Sequence, residues 1–207
     1  MKLRNIVFTL VSIFAFAGIV QAQRGTARLD LSYTAGLPLG SFKENLNETS
    51  FRGFNGALMF GVNDKVSVGI SAGFQDFYQK HPRQLYKLDD GSDISAVLSH
   101  SIQTIPIMAR ASYQFQPGAV VQPYAALSVG GNMITYSELL GEFGGQQAKF
   151  GFAARPEAGV YIPFKRDGES GLKLGASYNI MPFKELPGFK NLNHLGIHAG
   201  ISVPMRK

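Results

Sequence analysis

A chain of 207 residues is long enough for one domain with a closed core, and no second composition regime appears along it. Charged residues make up 16% and glycines number 24, leaner in charge and richer in glycine than an ordinary soluble domain. The absence of cysteine excludes disulfide staples, thiolate metal sites, a cysteine nucleophile and a lipid-attachment cysteine. The net charge of +6 is spread along the chain rather than gathered in a stripe, which excludes a nucleic-acid footprint.

Mean hydropathy is +0.02, far below that of a helical membrane protein. A chain with one lipid face and one polar face has this intermediate value. At the N-terminus, Lys2 and Arg4 form a basic start, residues 6–20 an apolar run, and Val20-Gln21-Ala22 a small-residue cleavage site. The run is shorter than the roughly 20 residues of a spanning helix, and a signal peptide is the expected reading rather than a membrane anchor. The expected division is a signal peptide over 1–22, cut near Ala22 and Gln23, and one barrel domain over 23–207. The mature part then carries 18 basic against 14 acidic residues, a net charge of +4.

From residue 27 onward, polar and apolar residues alternate with a period of two, the mark of half-buried strands. Eight strands are predicted, at about 27–36, 53–62, 66–77, 102–115, 120–135, 149–163, 172–182 and 193–203. Each has about the 9–11 residues, or a few more, that a tilted strand needs to cross a bilayer. The last strand is the clearest, with Leu195, Ile197, Ala199, Ile201 and Val203 on one face and His194, Gly196, His198, Gly200 and Ser202 on the other. The connections alternate between short turns, at 63–65, 116–118 and 165–169, and longer irregular loops, at 37–52, 78–101, 136–148 and 183–192. Short turns at one end and long loops at the other describe an outer-membrane barrel, with its turns in the periplasm.

A soluble barrel such as a lipocalin alternates too, with the apolar face inside. Three features place the apolar face outside here. The polar face is rich in Gly, Ser and Ala, as a narrow interior requires. On the apolar face, Phe54, Phe74, Phe150, Phe152 and Tyr178 fall near the long-loop ends, and Phe60, Tyr113, Phe115 and Phe164 near the short-turn ends. Between them lie Leu58, Ile70, Ala109, Leu127, Ala158 and Ala176, so aromatic rings flank an aliphatic band as the two membrane interfaces demand. Charges within strands are expected on the polar face alone: Arg28, Asp30, Arg110, Arg155, Glu157 and Lys173. On a lipid face each Arg or Lys costs roughly 2–4 kcal/mol at the midplane, whereas inside the barrel the cations can pair with Asp30 and Glu157.

This inward cluster, with His194 and His198, is the candidate site. A selectivity lining or proton path is one reading of it; a structural ion-pair filling is the expected one. The two histidines stand about 13 Å apart by strand rise, too far to share a metal. His81 and His100 have no second ligand at suitable spacing, and Asp89-Asp90-Gly91-Ser92-Asp93 lacks the terminal Glu of a calcium loop. Ser99-His100-Ser101 has no acidic residue placed to orient the histidine, and the glycines from Gly141 to Gly145 do not follow a strand-to-helix pattern. Neither catalysis nor a cofactor nor a metal is expected. Lys80, His81, Arg83, Lys87, Lys184 and Lys190 could meet lipopolysaccharide phosphates or form ordinary solvated loops.

With the strand pattern, Ile105-Pro106-Ile107-Met108-Ala109-Arg110, Arg155-Pro156-Glu157-Ala158-Gly159-Val160 and the glycine-rich last strand in hand, the chain resembles the small outer-membrane β-barrel domain family, which includes OmpX-like proteins, the OmpA transmembrane domain and PorT-like barrels. The likeness covers about residues 25–207. It implies an all-β, eight-stranded antiparallel up-and-down transmembrane barrel in a bacterial outer membrane, with outer-membrane lipids, lipopolysaccharide among them, as partners. It also implies handling by periplasmic chaperones and the barrel-insertion machinery, and a monomer. The end of the chain, Val203-Pro204-Met205-Arg206-Lys207, departs from the terminal aromatic that this machinery reads in many members. Fold does not choose a role. A structural or surface-interaction protein is expected, with a narrow channel for small or hydrophobic solutes, or a soluble extracytoplasmic ligand-binding barrel, as alternatives.

Overall fold

The computed structural model describes residues 27–80, 82–87, 93–140, 143–165, 170–184 and 189–205. The expected signal segment with Ala22 and Gln23, His81, the stretch 88–92, Gly141 and the turn residues 166–169 lie outside the described residues. Eight long strands close into an antiparallel barrel: β1 (Ala27–Pro38), β2 (Ser50–Gly61), β3 (Val66–Lys80), β6 (Leu98–Gln114), β7 (Gln122–Leu140), β8 (Phe143–Pro163), β9 (Gly171–Asn179) and β10 (His194–Met205). Each strand pairs with its sequence neighbour around the ring, and β10 closes on β1 from Ala27↔Met205 to Pro38↔His194. The ring has no free edge, so every strand finds its backbone partners inside the protein, as a bilayer requires. Two smaller elements sit in loops: a one-turn helix, α1 (Ser41–Asn45), and a hairpin of β4 (Gln84–Lys87) with β5 (Asp93–Ala96).

The short turns have local causes. Asn63 Oδ1 accepts from the backbone N–H of Lys65 at 2.9 Å and of Val66 at 2.8 Å, folding β2 back onto β3. In Gln116-Pro117-Gly118, proline sets the first central position and Gly118 takes φ 84°, a conformation that glycine adopts without steric penalty.

The period-two pattern decides which side chains meet lipid. Ile70, Ile107, Leu127 and Ile197, at mid-strand, are 62%, 60%, 53% and 54% exposed. Phe54, Phe150 and Phe152 are exposed toward one rim, and Phe60, Tyr113, Phe115 and Phe164 toward the other. A continuous apolar surface of this extent needs a covering, and an aliphatic belt between two aromatic girdles is matched by a bilayer. The apolar face is outside.

Four expectations need correction. The stretch 136–148 is strand rather than irregular loop over nearly all its length, since β7 and β8 stay paired out to Leu140↔Phe143. The loop at 37–52 is not wholly irregular, since α1 forms there and carries Phe42 into the barrel mouth, where it is fully buried. The loop at 78–101 is shorter than expected, because β3 and β6 stay paired out to Lys80↔Ser99 and the β4–β5 hairpin follows. Beyond the bilayer, a strand pair remains the cheapest way to satisfy backbone hydrogen bonds, whatever the side-chain pattern. Finally, the strand charges do not all face inward. Asp76 lies in the outward register of β3, six residues beyond Ile70, about 20 Å along the strand by the usual rise. The β2–β3 register, which pairs Gly53 with Gln75, sets Arg52 opposite it at 3.2 Å, and Ser101 Oγ donates to it at 2.8 Å. Arg52 also lies over the Tyr78 ring at 5.2 Å. At this height, near the long-loop rim, a paired carboxylate is tolerated where the bilayer centre would reject it.

Candidate functional site in the barrel lumen

The lumen is filled by side chains arranged in rows across neighbouring strands. In one row Tyr124 of β7 lies beside Gly159 of β8, Gly159 beside Gly175 of β9, and Gly175 beside His198 of β10. The two glycines leave room for the large side chains at either end to meet over them. Tyr124 Oη stands 3.2 Å from His198 Nε2. A Cβ on Gly175 would come within 2.7 Å of His198 Nε2, and one on Gly159 within 2.9 Å of the Tyr124 hydroxyl.

Glu157 is the hub of this level. Its carboxylate accepts from both Arg110 terminal nitrogens at 2.6 and 2.7 Å, and from the Tyr124 hydroxyl at 2.9 Å. His198 Nε2 lies 3.3 Å from the same carboxylate. The Arg110 and Glu157 side chains are only 5% and 6% exposed, so the bidentate pair is desolvated and held in a fixed plane. Toward the short-turn end, Lys173 Nζ donates to Asp30 at 2.7 Å and sits over the Tyr124 ring at 4.5 Å. Arg28 lies lower still, where it lines the mouth with Lys65, Asp30 and Lys173; among the described residues it makes no ion pair. Toward the long-loop end, Arg155 crosses the lumen to the Asn55 side-chain carbonyl at 2.6 Å, and Asn55 donates to Thr34 Oγ1 at 2.6 Å.

Thus Arg110, Glu157, Lys173 and Asp30 join through Tyr124, while Arg155 and Arg28 stand above and below with no carboxylate in contact among the described residues. Tyr124 and Asn55 were not singled out from the sequence. Both occupy inward register positions, but neither carries a charge to mark it.

Above Arg155 the chemistry reverses. Phe42 from α1, Leu46 after it, Phe77, Ile102, Ile134 and Ala153 from the walls, and Met181, Phe183 and Leu192 from the last long loop form one buried apolar cluster. The Phe42 and Phe77 rings meet edge to face at 4.8 Å, and Phe77 meets the His194 ring at 5.0 Å. This stopper closes the long-loop mouth. Below it the lumen retains pockets of about 40, 30 and 10 Å³, each of the order of one or two water molecules.

A closed barrel with a polar, filled axis and an aromatic-edged apolar belt defines a transmembrane β-barrel of the bacterial outer membrane. The chain belongs to the outer membrane protein beta-barrel domain family, whose model matches residues 8–203. None of the curated proteins matches it in sequence. Among solved structures it is similar to Neisserial surface protein A, with a TM-score of 0.56 at 16% identity, covering 87% of this chain and 97% of that one. The N-terminal β-barrel domain of Pseudomonas aeruginosa OprF gives a TM-score of 0.44 at 13% identity over 86% and 99% of the two chains. The Yersinia pestis attachment invasion locus protein Ail, in complex with the heparin analogue sucrose octasulfate, gives 0.45 at 13% identity over 86% and 96%. Identities this low speak to fold alone.

Proposed function

We propose that this protein is a closed, non-catalytic barrel of the outer membrane that acts through its lipid-facing belt and its surface loops rather than by conducting solutes. The observation that supports this reading is the double closure of the lumen. An apolar stopper fills the long-loop mouth, and the Arg110–Glu157 level, with its bridging Tyr124 and His198, fills the middle. A water-filled path through either level would require bulky, fully packed side chains to leave. On this reading the partners are outer-membrane lipids, including lipopolysaccharide, with the periplasmic chaperones and the insertion machinery acting during export after cleavage near Ala22 and Gln23.

Planar-bilayer recording on protein purified from outer membranes, its N-terminus sequenced to check the cleavage, tests this proposal. The expected outcome is no steady conductance. A steady conductance that changes when Arg110 or Glu157 is substituted would replace this reading with that of a narrow channel.

A further inference from the structure

The lumen holds more buried donors and more positive charge than its acceptors balance, and the imbalance is local. Arg110 lies directly opposite Ser128 on β7, and Ser128 directly opposite Arg155 on β8. Side chains in such a row project side by side, with Cβ atoms about 5 Å apart. All three residues are buried, at 7%, 0% and 5% exposure. Arg110 Nε, Ser128 Oγ and Arg155 Nε each lack a hydrogen-bond partner among the described residues.

The charges show the same excess. Arg110 is matched by Glu157 and Lys173 by Asp30. Among the described residues Arg155 makes no ion pair and donates to the neutral Asn55 carbonyl. A buried guanidinium without a counter-charge is costly, and a small ion can relieve that cost. Two pockets adjoin Arg155, and the larger, about 30 Å³, is lined by Arg110, Arg155 and Lys173 against the carboxylates of Glu157 and Asp30, which are already paired with Arg110 and Lys173, so its lining keeps one cation in excess. Below it, the short-turn mouth is lined by Arg28, Lys65 and Lys173 against one carboxylate, Asp30, so the field along the axis favours an anion.

We propose that the pocket between Arg110 and Arg155 binds one small monovalent anion of the halide class, chloride under ordinary conditions, as the counter-ion of Arg155. A volume of about 30 Å³ suits a small ion of chloride size. Water fits the same space and satisfies the donors, but it leaves the charge uncompensated. The proposal does not depend on the barrel being non-conducting, since a bound counter-ion is compatible with either state.

The test uses the barrel purified from outer membranes in detergent, with bromide as the probe. Crystals grown in sodium bromide are expected to show an anomalous scattering peak between the Arg110 and Arg155 guanidinium groups. In solution, the unfolding midpoint is expected to climb with bromide or chloride but not with gluconate at equal ionic strength, because only the folded state holds the ion. Arg155→Met is expected to weaken the apparent halide affinity by more than about tenfold, with Arg155→Lys keeping most of it. Diffraction from the unsubstituted protein needs no variant to fold. An empty anomalous map at that pocket, or equal midpoints in bromide and gluconate, would assign the space to water and overturn the proposal.

Discussion

The lumen is packed twice, by opposite means. Near the short-turn half, Asp30, Arg110, Glu157 and Lys173 stand on β1, β6, β8 and β9, and each reaches its partner from an inward register position. Near the long-loop end, Phe42, Leu46, Met181, Phe183 and Leu192 pack from segments outside the barrel strands onto Phe77, Ile102 and Ile134 of the wall. The first filling is part of the wall and cannot leave without unpairing strands. The second is carried in by connections and can be lifted out while the ring stays closed. Closure of the mouth and integrity of the barrel therefore rest on different residues, and substitutions should separate them.

The largest effect is expected at the hub. In Glu157→Gln the shape of the side chain is kept, but Arg110 is left as a buried cation and His198 loses its carboxylate neighbour. Breaking one side of such a pair costs about 3–5 kcal/mol, so urea unfolding in lipid vesicles should show a loss of that order across the whole barrel. Replacing Arg110 and Glu157 together by methionine should recover part of the loss, since Arg110 is then no longer left as an unpaired cation. An unchanged midpoint in Glu157→Gln would mean that the ion pair is not what holds this level together.

A smaller effect is expected where the wall makes room for the hub. In Gly175→Ala the new methyl group would stand 2.7 Å from His198 Nε2 and 2.8 Å from the Ala158 carbonyl oxygen. The second contact is backbone in the neighbouring strand and cannot swing aside. Overpacking of this kind costs about 1–3 kcal/mol. Gly61→Ala provides the control, because its nearest neighbour lies at 4.0 Å. Equal stability of the two variants would show that the Tyr124–His198 row has slack the distances do not suggest.

These two fillings also differ in how far the sequence reveals them. Alternation places Arg110, Arg155, Glu157 and Lys173 on the inner face, because a strand has one repeating geometry and charge cannot face lipid cheaply. The same pattern marks Ile70, Leu127 and Ile197 as outward. It cannot say that Glu157 meets Arg110 rather than Arg155, because that choice depends on register between strands and on side-chain reach across the axis. It also gives no hint that Tyr124 and His198 meet, which two glycines in intervening strands permit. The stopper is less legible still. Phe42 and Leu46 have the i, i+4 spacing of one helical face, a weak signal over five residues, and their partners Met181 and Leu192 are far away in sequence. Asp76 is hidden for a third reason: its register is outward, and the partners that make the position acceptable, Arg52 and Ser101, come from the two neighbouring strands.

The smallest effect on global stability, and the sharpest separation of the two fillings, is expected from Phe42→Ala. Phe42 is fully buried, and truncating such a ring in an ordinary core costs about 3–5 kcal/mol. Here the loss is capped by the free energy that seats the loop, because once α1 detaches, the rest of the barrel no longer senses the cavity. The unfolding midpoint of the ring should shift by less than about 1 kcal/mol, while proteolysis between residues 39 and 49 should accelerate as the α1 loop opens more often. Hydrogen exchange should show the same split, with faster exchange at Leu46 N–H, which is bonded to Phe42 O at 2.9 Å, and unchanged protection at the Glu157 level. A Phe42→Ala barrel that unfolds as early as Glu157→Gln would contradict the separation, because the stopper would then be holding the wall strands and not merely closing the mouth.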